Sequence, residues 1–231
     1  MKIKCIETGS KGNFYIISNN KGEILLLELG IPYEKILSNI EDIGKIQGVL
    51  VSHKHKDHNF NDNVKKFVNA SINVLYPEFE NCIVGKKYKM GNFEIIPFPC
   101  KHNVVCYGYL IKCDNKIIMF ATDTKELPKF NISINVFLVE INHISNWVEK
   151  ILFEMDADDT KLYYESRVLI THHSVENAKE YFENLKYKPQ CILGIHKSTN
   201  IEHFSSEYAL EELKDIADYI DIVSDGDEYE F

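Results

Sequence analysis

Gly48-Val49-Leu50-Val51-Ser52-His53-Lys54-His55-Lys56-Asp57-His58 is the stretch on which the fold assignment turns. An apolar run with strand character stops at Ser52, and three imidazoles and a carboxylate follow within six residues. Imidazole nitrogen and carboxylate oxygen are donors that a borderline-soft divalent ion prefers. On a loop leaving a strand, His53 and His55 can face one way while Asp57 and His58 turn another. One short loop can then serve two neighbouring ions. The whole chain holds nine histidines, so three in six positions is a concentration that a solvated polar loop would not show by chance.

Outward from this loop, β-branched and large apolar runs predict strands at 2–7, 14–18, 24–29 and 48–52. Further strands are predicted at 72–76, 87–90, 93–97, 106–113, 116–121, 136–140, 192–195 and 221–223. Helical texture covers 32–43, 60–69, 145–155, 174–184 and 205–216, and Gly9, Gly12 and Gly22 mark turns. Strands clustered early, with helices at wide intervals, predict a layered α/β sandwich with its helices outside. No repeat, low-complexity tract or linker divides the 231 residues, so one domain over 1–231 is expected.

No apolar run approaches the roughly 18 residues of a membrane span. The amino terminus enters strand-like sequence directly, without the apolar stretch of a secretory signal, and a cytoplasmic protein with no membrane partner is expected. Six cysteines form no CxxC pair and read as small buried hydrophobes. Cys100 and Cys106 flank His102, where a thiolate ligand is the lesser option. Net charge is −9, with an acidic tail over 225–230. Proteins that grip long nucleic acids by many phosphates usually carry a basic face, so the charge favours a small substrate or a short stretch of polymer.

His53-x-His55-x-Asp57-His58 after a hydrophobic strand resembles the HxHxDH signature of metallo-β-lactamase-fold metal-dependent hydrolases. The resemblance implies a four-layer αββα sandwich and single ligands downstream, each next to a strand. Candidates occur in that order: His102 in Pro99-Cys100-Lys101-His102-Asn103, Asp123 in Phe120-Ala121-Thr122-Asp123-Thr124, and His196 in Leu193-Gly194-Ile195-His196. By the resemblance, His53, His55 and His102 hold one ion, Asp57, His58 and His196 hold a second, and Asp123 bridges them. The cofactors implied are two divalent metal ions, zinc or manganese.

Thr8-Gly9-Ser10-Lys11-Gly12-Asn13, Glu140-Ile141-Asn142-His143 and Thr171-His172-His173-Ser174-Val175-Glu176-Asn177-Ala178 resemble the exonuclease-like branch of this fold. The last also resembles the AHST-type segment of tRNase Z, in which a histidine serves phosphodiester cleavage. Alignment on its trailing residues places that role on His172, with His173 the close competitor. Glu28 stands where the family usually has Asp, and the longer side chain alters the geometry with which it supports the histidine loop. About twenty residues separate His102 from Asp123, which leaves no room for a tRNA-gripping arm and disfavours tRNA maturation.

The function implied is a binuclear phosphodiesterase acting on a nucleic acid or nucleotide, exonuclease-like. Asp57 and Asp123 would orient the nucleophile, and His172 would protonate the leaving oxygen or hold a non-bridging one. Glu28, Glu140 and His143 would stand behind the ligands, His143 alternatively lining the pocket. Two other functions compete. One is a small cyclic-nucleotide phosphodiesterase, as in some phage defence-evasion enzymes of this fold, which suits the short, acidic, armless chain. The other is a metal-bound scaffold without catalysis. Members of the branch are often dimers that complete each other's pocket, so a homodimer is an assembly to test. His203 lies in no motif and is expected on the surface.

Overall fold

Leu25, Leu26 and Leu27 show how the layers arise. All three are fully buried in strand β3 (Ile24–Leu27), yet Leu25 and Leu27 join one core cluster and Leu26 another. Successive side chains of a strand point to opposite faces, so this strand is covered on both sides. The computed structural model describes residues 1–156 and 161–231.

A six-stranded sheet holds β1 (Lys2–Glu7), β2 (Phe14–Ser18), β3, β4 (Ile46–Leu50), β5 (Val74–Leu75) and, at its edge, β13 (Glu228–Glu230). A seven-stranded sheet contains β6 (Tyr88–Met90), β7 (Phe93–Cys100), β8 (Cys106–Cys113), β9 (Lys116–Ala121), β10 (Val136–Glu140), β11 (Cys191–Ile195) and β12 (Tyr219–Ile222), adjacent in the order β12-β11-β10-β9-β8-β7-β6. The two sheets bury one cluster between them, including Ile3, Leu25, Ile118, Leu138 and Leu193. The outer face of the first sheet packs on α1 (Tyr33–Ser38) and α2 (Asn63–Asn69). Met119, Phe137 and Ile192 on the outer face of the second pack on α5 (Val175–Glu183) and α6 (Ser206–Leu213). The result is the expected αββα sandwich. Burying each such Leu, Ile or Phe contributes about 1.5–3 kcal/mol, which is why a pattern sorted over two sheets fixes the layers.

Several predicted boundaries shift for local reasons. β3 ends two residues early because Glu28 takes a left-handed backbone (φ 61). The helix expected over 60–69 is split, since Asn61 and Asp62 are also left-handed and only α2 continues. The helix over 32–43 stops at Ser38, and a short 3₁₀ turn follows at Ile43–Lys45. β7 runs on to Cys100 through two prolines. Two elements carried no prediction: α4 (Leu162–Thr171), packed on α3 (Ser145–Glu154), and the edge strand β13 inside the acidic tail.

β3, β4 and β5 are parallel, as are β9, β10, β11 and β12. Their carboxyl ends therefore open on one edge of the sandwich, the usual location of ligand sites beside parallel strands. Every side chain that the sequence singles out as a ligand candidate lies in a segment leaving that edge.

Candidate metal centre

Three of these segments turn by the same device. Glu28 follows β3, Asp123 follows β9 and His196 follows β11, and all three have positive φ (61°, 21° and 53°). Non-glycine residues seldom adopt this conformation, and where they persist the surroundings over-determine them. Here His196 N–H donates to Thr8 Oγ1 (2.9 Å) and Glu28 N–H to the Leu50 carbonyl (2.8 Å). The tight turn swings each side chain inward from the strand end.

The histidine loop is held from below by the Gly/Ser-rich opening. Asn13 donates to the Asp57 carbonyl from both its backbone N–H (2.8 Å) and its side-chain amide (3.1 Å). Gly30 is forced by close approach, since a Cβ there would lie 1.7 Å from the Asp57 carbonyl oxygen.

Two groups of donors result. In the first, His53 Nε2 lies 2.9 Å from His55 Nδ1, which lies 3.4 Å from His102 Nε2. Asp123 Oδ2 stands 3.8 Å from His53 Nε2 and 3.6 Å from His102 Nε2. In the second, Asp57 Oδ2 lies 3.3 Å from His58 Nε2 and 3.4 Å from His196 Nε2. Asp123 Oδ1 is 3.2 Å and 3.3 Å from the same two nitrogens. Donors about 2.0–2.1 Å from a tetrahedral ion are themselves about 3.3 Å apart, so both groups have the spacing of metal ligands. Asp123 Oδ1 is buried without a hydrogen-bond partner, an orphan that a cation would satisfy. The residues fit a metal site, and one carboxylate is divided between its halves.

Behind the donors stands a second set of contacts. His53 Nδ1 meets Ser52 Oγ (2.8 Å), His58 Nδ1 faces Glu28 Oε2 (3.5 Å), and His102 Nδ1 faces the Thr171 carbonyl (3.3 Å). Glu28 reaches its place despite its extra methylene, and both its oxygens accept from Ser52 N–H (3.2 Å). Glu140 is fully buried and uses both oxygens. Oε1 takes His172 Nδ1 (2.6 Å) and His196 Nδ1 (3.0 Å), and Oε2 accepts from Thr124 N–H (2.9 Å) and His173 N–H (3.0 Å). Such contacts fix ring orientation and tautomer.

These charges divide the imidazoles. Burial lowers the pKa of His53 well below the ordinary value, aided by His58, and it also lowers His55 and His102. Burial opposes charge on His58 too, but Asp123, Glu28 and Asp57 outweigh it and hold the pKa well above ordinary. His196 is likewise pushed up to about 10, with Asp123, Asp57 and Glu140 overcoming burial. Asp57 and Asp123 sit well below the carboxylate range because His58 and His196 more than offset their desolvation. Without an ion, burial favours neutral imidazoles in the first group, while the carboxylates favour protonated ones in the second.

His172 and His173 separate clearly. His172 lines a cleft of about 540 Å³ above the donors, its ring stacked on His196 at 5.7 Å. Glu140 raises its pKa against the effect of burial. His173 is buried and turned away, with Nδ1 3.0 Å from the Lys125 carbonyl. Asp123, Glu140, His172 and His196 also converge within metal-ligand range, a third arrangement of donors.

Two sequence expectations are corrected. His143 is fully buried with neither ring nitrogen hydrogen-bonded, so its ring supports no ligand and does not line the cleft. His203 is not on the surface: it is buried, lines the cleft, and has Nε2 2.6 Å from Glu165 Oε2, out of line for a hydrogen bond. His172 directly follows a helix, α4. Cys106 is buried, as expected of a small hydrophobe, and its contact with Cys100 and its burial push the thiol pKa well up, with Sγ 3.7 Å from the Asp123 carbonyl. Sequence reasoning also missed the cleft wall of Tyr164, Arg167 and Val168 on α4.

No family model matches the sequence, and no curated protein sequence matches it. Solved structures do match over the whole chain. The metallo-β-lactamase fold protein YhfI from Bacillus subtilis is 14% identical at a TM-score of 0.70, covering 99% of each chain. A diphosphatase of the PhnP family is 14% identical at 0.62, covering 100% of this chain and 98% of its own. The short form of human tRNase Z is 11% identical at 0.62, covering 100% and 99%. The chain has the metallo-β-lactamase fold.

Proposed function

We propose that the protein is a metal-dependent phosphodiesterase acting on a nucleotide or nucleic-acid phosphodiester. The observation that carries this reading is the divided carboxylate of Asp123, with Oδ2 toward His53 and His102 and Oδ1 toward His58 and His196. His53, His55 and His102 would hold one divalent ion and Asp57, His58 and His196 another, zinc or manganese, with Asp123 shared. Two such ions supply Lewis acidity and positive charge at a phosphate.

The chain's own residues do the rest. The Asp57 carboxylate, which lines the cleft together with His55, Asp123 and His196, is placed to orient an incoming water. Glu140 fixes His172 through Nδ1, leaving Nε2 to carry a proton to the leaving oxygen. Glu140 also touches His196 Nδ1, so one carboxylate aligns the acid with a ligand. The fold likeness to a PhnP-family diphosphatase and to tRNase Z supports phosphoester chemistry.

A small cyclic mononucleotide is the second reading. A cleft of about 540 Å³ suits a nucleotide-sized ligand, and a net charge of −9 opposes a long polyanion. A panel on zinc- or manganese-loaded protein decides: bis-p-nitrophenyl phosphate, cyclic mononucleotides, linear DNA and RNA, and a β-lactam. Turnover of phosphodiesters is expected. Turnover of the β-lactam alone would overturn the proposal, and steep salt inhibition on linear DNA without cyclic-nucleotide turnover would select the exonuclease form.

A further inference from the structure

Of the 26 basic residues in the chain one is an arginine, Arg167, and it stands in the wall of the cleft. It is half-buried on α4, one helical turn before Thr171, whose carbonyl faces His102. Two other cations line the same cleft, and both are engaged. Lys56 Nζ lies 5.1 Å over the Phe60 ring, and Lys197 Nζ donates to Ser224 Oγ at 3.0 Å. Among the described residues the Arg167 guanidinium has no hydrogen bond or ion pair, and Glu165, two residues earlier on the same helix, faces His203. Its charge is felt at His55.

A half-buried guanidinium in the cleft lining, with no partner among the described residues, keeps its fork of donors available to a ligand. Guanidinium is more weakly hydrated than ammonium, and its planar pair of N–H groups matches two oxygens of a phosphate. We infer that Arg167 is the substrate-positioning residue of this site, holding non-bridging oxygens of the substrate phosphate from the helix wall, opposite the donor cluster. Tyr164, three residues earlier on the same face of α4 and also lining the cleft, stands beside that position where a base or sugar would extend. This assignment rests on the phosphodiesterase reading for its substrate, but not for the anion it binds.

The test uses the full metal-loaded chain and two kinds of probe. In steady state with bis-p-nitrophenyl phosphate and a cyclic mononucleotide, Arg167→Met should raise KM by about 10- to 100-fold, the range for losing charge-assisted hydrogen bonds, while kcat falls far less. Arg167→Lys should recover part of the loss, because charge returns without the fork. Independently of turnover, calorimetric titration with inorganic phosphate should show a comparable loss of affinity in Arg167→Met, with metal content and melting temperature unchanged. A metal-replete Arg167→Met with unaltered phosphate affinity and unaltered KM overturns the inference. A wild-type protein that turns over no phosphodiester overturns the proposed function instead, and the phosphate titration then still decides the role of Arg167.

Discussion

On the floor of the cleft His53, His58, His102 and His196 each have a partner behind the ring, whereas on its wall the guanidinium of Arg167 has none among the described residues. The floor is assembled from strand ends, with Glu140 alone taking two imidazoles and two backbone N–H groups. The wall is a single helix packed on another helix, with Tyr163 and Ile170 turned to solvent and Thr171 its one buried residue. Groups that must hold a fixed geometry for chemistry are over-determined by the sandwich. A group that must engage and release a substrate is left free. Predictions that separate the two regions follow from the number of protein contacts each residue would lose.

The largest effect belongs to His172, where floor and wall meet. General acid–base help typically contributes about 10²–10⁴-fold, so His172→Ala should lower turnover by that order with metal retained, and His173→Ala should remain near wild type. Loss of metal from the His172 variant would make it a ligand, as the third donor grouping allows. An unchanged rate would remove it from the chemistry.

Glu140→Ala comes next and should act on stability. Removing one member of a buried charged pair costs about 3–5 kcal/mol, read as a lower urea midpoint of metal-free protein at neutral pH. His172 and His196 overcome burial to hold Glu140 at about 2, below its ordinary 4.5. A carboxylate depressed in the folded state stabilises above its unfolded pKa and loses that contribution as pH falls. The gap between wild type and Glu140→Ala should therefore be full above about pH 4.5 and close toward pH 2. A gap that widens on acidification contradicts the assignment.

Within the floor, the two donor groups should differ in how they hold metal. Ligand imidazoles must be deprotonated, and His58 and His196 keep their protons more firmly than His53, His55 and His102. As pH is lowered, metal should leave the Asp57, His58 and His196 group first. Stepwise dialysis with elemental analysis should pass through one equivalent. Simultaneous loss of both would erase the distinction.

The smallest expected effect marks the wall. Arg167→Met should change stability by no more than about 0.5 kcal/mol, since no partner among the described residues is lost. A larger drop in thermal denaturation would show that the wall is structural after all.

The floor was legible in the sequence because its donors follow strands whose apolar runs are unmistakable. His53, His55, Asp57 and His58 leave β4, and Asp123 and His196 leave β9 and β11. The wall was not legible. Leu162–Thr171 has no stripe of apolar residues at helical spacing, because it covers a cleft rather than a core. His203 was misplaced for a related reason: its ring lies against Glu165 of α4, an element the sequence did not announce. β13 escaped notice because an edge strand of alternating acidic residues resembles a solvated tail.

The most direct test of the central claim is anomalous diffraction from crystals of the zinc-loaded chain. Two peaks are expected about 3.5–4 Å apart, one among His53, His55 and His102 and the other among Asp57, His58 and His196, with Asp123 between them. A single peak at full loading, or one held by Glu140 and His172 in place of Asp57 and His58, would contradict the account.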